Sequence, residues 1–240
     1  MRLWRTINVE ISSMCNRACP TCLRTSTPDR ESVDSWFRPN YMPMEVIKAI
    51  LDEHVVLDHR CRFSPNVYNE PLLDPRLIEI LQMVRSYRLP NGEPRFLTAL
   101  VTNGELLTPE LARDLDPLLD NAAISLYIRG RARRRRRRKC RELLPTTRSG
   151  FKGSHVLTHY GPDKTLPRVP CTLGRRMLIN HKGQFLLCCE DMLGLFAFGS
   201  FPEMSLAQFW ESSQRNEIVQ DVCVNKDRSK YLYCQDCPMV

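Results

Sequence analysis

Close to its N-terminus the chain carries Cys15, Cys19 and Cys22, spaced C-x3-C-x2-C, directly after a β-branched run from Thr6 to Ile11. The run reads as a buried strand, so the three thiols stand on one loop at a strand end. Three thiolates on one short loop suit a [4Fe–4S] cluster in which one iron keeps no protein ligand. That vacant corner is a place where a small molecule can bind and be changed. A structural zinc site wants four ligands, usually as separated C-x2-C pairs, and a lone triplet fits that poorly.

Downstream, strand-like and helix-like segments alternate with short loops. The run Pro43 to Asp52 has apolar residues at helical spacing, Arg62 to Val67 reads as a short strand, and Leu77 to Val84 as a helix. Phe96 to Val101 is a buried strand ending in Thr102-Asn103-Gly104, Thr108 caps a helix with proline at its first position, and Ala122 to Ile128 is a further strand. Such alternation argues for an α/β chain built on a parallel sheet. The stretch from Arg24 to Tyr41 is polar, carries prolines and reads as a loop.

At the cysteine loop the sequence resembles the radical S-adenosylmethionine (radical SAM) superfamily. The resemblance implies that Cys15, Cys19 and Cys22 ligate the cluster and that the open iron chelates the amino and carboxylate groups of SAM. An electron from the cluster would cleave SAM to a 5′-deoxyadenosyl radical, which takes a hydrogen atom from the substrate. The implied fold is a partial (β/α)6 TIM barrel with its site at the C-terminal strand ends. Tyr68-Asn69-Glu70-Pro71 occupies the place of a Gly-Gly-Glu-Pro-like segment that holds the SAM ammonium, with Asn69 replacing a glycine. Glu70 is the expected ammonium partner, since a charge-assisted bond in a dry pocket is strong; its plain alternative is a helix cap. Thr102 and Asn103 resemble the family's strand-end segment, and Ser125 is a weaker candidate for a ribose or carboxylate contact.

The C-terminal third carries a second cysteine pattern. Cys171, Gly183 and Cys188 give C-x11-G-x4-C, and Cys234 and Cys237 give C-x2-C. Met177 to Asn180 and Gln184 to Leu187 flank His181-Lys182-Gly183 and read as a β-hairpin. A helix is expected from Ser205 to Val219. The layout resembles the auxiliary-cluster modules called SPASM and their shortened form, twitch, which implies a second [4Fe–4S] cluster on Cys171, Cys188, Cys234 and Cys237. A zinc ribbon has the same outline, and a slip of one residue would exchange Cys188 for Cys189. The expected division is a barrel over 1–165 and a twitch-like module over 166–240.

The compact layout resembles radical SAM dehydrogenases and epimerases of aminoglycoside and oligosaccharide antibiotic pathways. Dehydrogenation of a carbinol C–H would use Glu190 or Asp191 as base and the auxiliary cluster as electron acceptor. Epimerisation would use Cys189 or Cys223 as hydrogen-atom donor. A ribosomal-peptide maturase, or a non-catalytic zinc or cluster module, are the competing readings. The implied partners are SAM, a sugar or aminocyclitol substrate, and a flavodoxin- or ferredoxin-type electron donor.

Composition narrows the classes. The 42% hydrophobic and 26% charged fractions of the 240 residues are those of a globular domain. No apolar run approaches the roughly 20 residues of a membrane span, and the start lacks a signal-peptide core, which leads us to expect a cytoplasmic protein. Eleven cysteines then read as metal or redox groups rather than disulfides. Cys61, Cys140, Cys189 and Cys223 stand outside the ligand sets. Much of the +8 net charge comes from Arg133 to Lys139. That run reads as a solvated surface segment, and without interleaved aromatics it argues against a nucleic-acid platform.

Overall fold

A computed structural model describes residues 3–19, 22–26, 29–125, 142–145, 171, 173–235 and 237. The Thr-Ile-Asn-Val sequence of β1 (Thr6–Val9) is β-branched and almost fully buried. It takes a central place in a six-stranded sheet of order β4-β3-β2-β1-β5-β6, with β2 (Cys61–Ser64), β3 (Phe96–Thr102), β4 (Asn121–Ile124), β5 (Arg176–Ile179) and β6 (Phe185–Leu186). All pairings are parallel except β5 with β6. Because β1 to β5 run the same way, their C-terminal ends open on one face, and the loops that follow them converge there.

Between β1 and β2 lie α1 (Leu23–Ser26), α2 (Arg30–Trp36) and α3 (Met44–Val56). The expected loop from Arg24 to Tyr41 is thus largely helical. Asp29 explains α2: its carboxylate accepts the Ser32 amide at 3.0 Å and caps a segment too short to show helical periodicity. α3 buries Ile47, Ile50, Leu51 and His54 against the sheet. A 3₁₀ turn (Pro71–Leu73) and α4 (Leu77–Ser86) link β2 to β3, and α5 (Pro109–Leu115), capped by Thr108, leads to β4. The strand expected to reach Ile128 is described only to Ile124. Cys140, the Arg133–Lys139 run and residues 146–170 lie outside the described residues.

The C-terminal hairpin is as expected, but β5 joins the barrel sheet directly, pairing Val9 with Ile179. Gly183 makes the turn possible: its φ is +81°, and a Cβ there would lie 2.8 Å from the Phe201 carbonyl oxygen. The single helix expected from Ser205 to Val219 is two, α6 (Leu206–Glu211) and α7 (Ser213–Val219). Ser212 breaks it by adopting ψ 138° and capping α7 at Arg215 N. A π-helical turn (Gln220–Asn225) and α8 (Leu232–Gln235) follow. One hydrophobic cluster runs from Trp4, Ile7 and Ile50 through Phe185 to Leu206, Phe209 and Trp210, so the hairpin and barrel share a core. Among the described residues no helix is long and apolar enough to cross a membrane.

Candidate active site

The cysteine loop leaves β1 at Glu10, and neighbours pin it from several sides. Ser13 Oγ donates to the Arg38 carbonyl at 2.6 Å, the Glu70 amide to the Met14 carbonyl at 2.8 Å, and Asn103 Nδ2 to Asn16 Oδ1 at 2.8 Å. Glu105 accepts from Asn16 Nδ2 at 3.1 Å and pairs with Arg17. Cys15, Cys19 and Cys22 interact electrostatically with one another. Burial pushes the Cys15 and Cys22 thiols up, while the nearby Arg24 charge pulls them down.

Glu70 is buried at the mouth of the sheet. Its Oε1 accepts Thr102 Oγ1 at 2.6 Å and the Leu72 amide at 3.1 Å, and its Oε2 accepts the Asn103 amide at 2.7 Å. It therefore caps the turn after β2 and binds the β3 loop, beside Cys15. Burial raises its pKa, against those hydrogen bonds. Asn69, which stands where a glycine was expected, needs no left-handed backbone. Its amide closes its own loop, accepting Val67 N at 3.1 Å and donating to the Pro65 carbonyl at 3.2 Å. Ser125 lies just past β4, its amide on the Thr102 carbonyl at 2.8 Å. Glu70, Thr102, Asn103 and Ser125 thus form one connected rim at the C-terminal strand ends.

The second cysteine set comes from the segment before β5, the loop after β6 and the C-terminal helix. Cys234 is pushed up to about 11 by burial, with the Cys237 and Cys171 thiols adding to the shift. Cys171 is lowered to about 6 by a hydrogen bond from the Cys223 thiol. Cys223 sits on the π-helical turn, a helix defect that is frequent at functional sites. Arg228 Nη1 donates to the Cys237 carbonyl at 3.2 Å. Burial raises Cys188, whose sulfur accepts the Glu190 amide at 3.3 Å, and Glu190 acts electrostatically on Cys234. Asp191 is a loop organiser: its two oxygens accept the Leu187 and Leu195 amides at 3.0 and 2.8 Å, and burial raises it to about 6.

Several residues that the sequence reading passed over hold this mouth together. Glu10 accepts Tyr68 N at 2.9 Å, His181 N at 3.1 Å and His181 Nδ1 at 2.7 Å. Tyr68 then reaches across, its hydroxyl donating to the Cys189 carbonyl. The one available signal was an acid, Glu10, at the end of an otherwise apolar strand.

Residues 9–142 match the radical SAM superfamily. The chain belongs to the radical SAM superfamily. A radical SAM domain carries a [4Fe–4S] cluster that binds SAM, and residues 171–238 match the SPASM iron–sulfur cluster-binding domain. The thiols of this radical SAM chain fit these groups: three on one braced loop, and a second, partly buried set around Cys171, Cys234 and Cys237, with Cys188 joined to it through Glu190. Among the described residues no three His, Cys, Asp or Glu side chains are grouped to hold a single metal ion.

The chain is 23% identical to the S-adenosyl-L-methionine-dependent 2-deoxy-scyllo-inosamine dehydrogenase of Niallia circulans, covering 98% of this chain and 93% of that one. It is 32% identical to a GTP 3′,8-cyclase of Parasynechococcus marenigrum, over 51% of this chain and 33% of the cyclase. Its fold matches BtrN in complex with AdoMet and 2-DOIA with a TM-score of 0.77 and 21% identity, covering 98% and 93% of the two chains. Native anSMEcpe with bound AdoMet matches with a TM-score of 0.58 and 14% identity, covering 88% and 82%.

Proposed function

We propose that this radical SAM chain dehydrogenates a carbinol carbon of a sugar or aminocyclitol, with Cys15, Cys19 and Cys22 holding the SAM cluster and Cys171, Cys188, Cys234 and Cys237 the auxiliary one. The observation that carries the reading is Tyr68. Its backbone meets Glu10 and Arg24 on either side of the first loop, while its hydroxyl holds the Cys189 carbonyl, next to Cys188 of the second set. Tyr68 therefore joins segments that flank the two cysteine sets, Glu10 and Arg24 on one side and the residue after Cys188 on the other, which supports one site served by both. Similarity to a 2-deoxy-scyllo-inosamine dehydrogenase over 98% of the chain supports an aminocyclitol as the substrate class.

When bound, SAM and the two clusters supply the radical that takes the hydrogen atom and the sink for the remaining electron. The chain's own part is to orient the substrate and move one proton. Glu190, between Cys188 and Cys234, is the proposed acceptor of the hydroxyl proton. The Glu70, Thr102, Asn103 and Ser125 rim is proposed to orient SAM, with Glu70 fixing the β3 loop as well as facing the ammonium. Asp191 shapes the Glu190 loop. Shielding the site from water protects a reactive intermediate.

Cys189 favours one second reading. Its thiol is close enough to act electrostatically on Tyr68 and Cys188, beside the second cysteine set, where a hydrogen-atom donor for epimerisation would be needed. Anaerobic incubation with SAM, a reductant and candidate aminocyclitols tests both. Substrate-stimulated 5′-deoxyadenosine with a carbonyl product supports dehydrogenation. Solvent deuterium at one substrate carbon, with no carbonyl, supports epimerisation, and the absence of deoxyadenosine refutes both.

A further inference from the structure

Directly after Cys22, α1 turns Arg24 back under the cysteine loop. Its Nη1 donates to the Ser13 carbonyl and lies 3.5 Å from the Tyr68 carbonyl. Its guanidinium sits 4.0 Å over the Phe37 ring, which itself packs on Tyr68 with centroids 6.0 Å apart. The planar guanidinium is thus fixed by two carbonyls and an aromatic face, none of which neutralises it. It is close enough to act electrostatically on both Cys15 and Cys22. The other charge acting on it is Glu10, whose carboxyl is already taken up by Tyr68 and His181 amides and the His181 ring.

We infer that Arg24 is a positioning residue that sets the reduction potential of the N-terminal cluster, by holding one permanent positive charge beside two of its three thiolates. The inference rests on the cluster being ligated by Cys15, Cys19 and Cys22. Reduction adds one electron, from a low-potential one-electron donor, to a group that its thiolates already make negative. Net charge, hydrogen bonding and exposure are what set such potentials. A fixed cation stabilises the more negative, reduced state more than the oxidised one, and does so strongly where water is excluded. Arg24 therefore makes the cluster easier to reduce. Arginine suits the role because it cannot shed its proton as the pocket dries.

The test is a redox titration of the two-cluster protein with dithionite and mediators, read by electron paramagnetic resonance. The signal that SAM perturbs identifies the N-terminal cluster. Arg24→Gln and Arg24→Met are expected to titrate at a more negative potential than the unsubstituted protein, and Arg24→Lys near it. Potentials unchanged in the neutral variants, or a lysine variant shifted as far as the glutamine one, overturn the inference. Iron retained by the lysine variant but not by the neutral ones shows that the charge is needed to hold the cluster rather than to tune it, and overturns the inference. Iron lost from all three makes Arg24 a backbone strut and overturns it. If the unsubstituted protein shows no SAM-sensitive cluster, the ligand assignment itself has failed, an outcome visible before any variant is made.

Discussion

Glu10 offers the sharpest test of how the end of β1 is joined to the C-terminal hairpin and the loop after β2. It is fully buried, and its carboxyl accepts three N–H groups: Tyr68 N at 2.9 Å, His181 N at 3.1 Å and His181 Nδ1 at 2.7 Å. The Glu10→Ala change strands all three donors where water enters with difficulty. Each stranded donor costs about 1–3 kcal/mol, so the three together cost about 3–9 kcal/mol. At roughly 2–4 °C per kcal/mol for a chain of this size, the thermal midpoint falls by about 6 °C or more. Glu10→Gln keeps one acceptor oxygen, and His181 can change tautomer to accept the new amide. The loss is then nearer 2 kcal/mol, one stranded donor's worth. Anaerobic thermal unfolding of the cluster-loaded protein, followed by circular dichroism, measures both. If Glu10→Ala unfolds within about 1 kcal/mol of the unsubstituted protein, the three hydrogen bonds do not carry the joint between β1 and the hairpin, and the argument fails.

Three further outcomes follow from the same geometry. Iron analysis of Cys188→Ala is expected to fall from about eight to about four atoms per chain while Cys189→Ala keeps all of them, since it is the Cys188 sulfur that accepts the Glu190 amide; equal losses would refute the choice. Burial lowers His54 to about 4. Its neutral form therefore stabilises the fold fully above about pH 6.5, and that contribution, about 3 kcal/mol, is lost as pH falls towards 4; urea unfolding of His54→Leu should show a flatter profile over this window. Gly183→Ala places a Cβ 2.8 Å from the Phe201 carbonyl at φ +81°, so a fall in midpoint worth about 1–3 kcal/mol is expected, and an unchanged midpoint would show that the turn relaxes freely.

Much of the chemistry could be read before any fold was known because it is written in short spacings. C-x3-C-x2-C and C-x11-G-x4-C are constraints along the chain, and cluster ligation is largely a matter of which sulfurs one loop can bring together. The strands were legible for a related reason: Thr6 to Val9 and Phe96 to Thr102 are apolar runs whose burial is local in origin. The helix from Ser205 misled because apolar spacing continues through Ser212, and only the backbone turning there reveals the break. α2 was missed because seven residues held by a single Asp29 cap carry almost no periodic signal.

The sequence by itself determined that this chain gathers two sets of thiols, one of them on the loop after its first strand, and that a parallel α/β sheet carries them. Tertiary structure alone decided that β5 lies against β1, that Glu10 receives Tyr68 and His181 from loops 58 and 171 residues away, and that Arg24 lies under the first loop. The reason is physical. Thiol spacing and strand burial are short-range properties of the chain. A buried carboxyl or guanidinium takes its meaning from partners that only the packing of distant loops supplies.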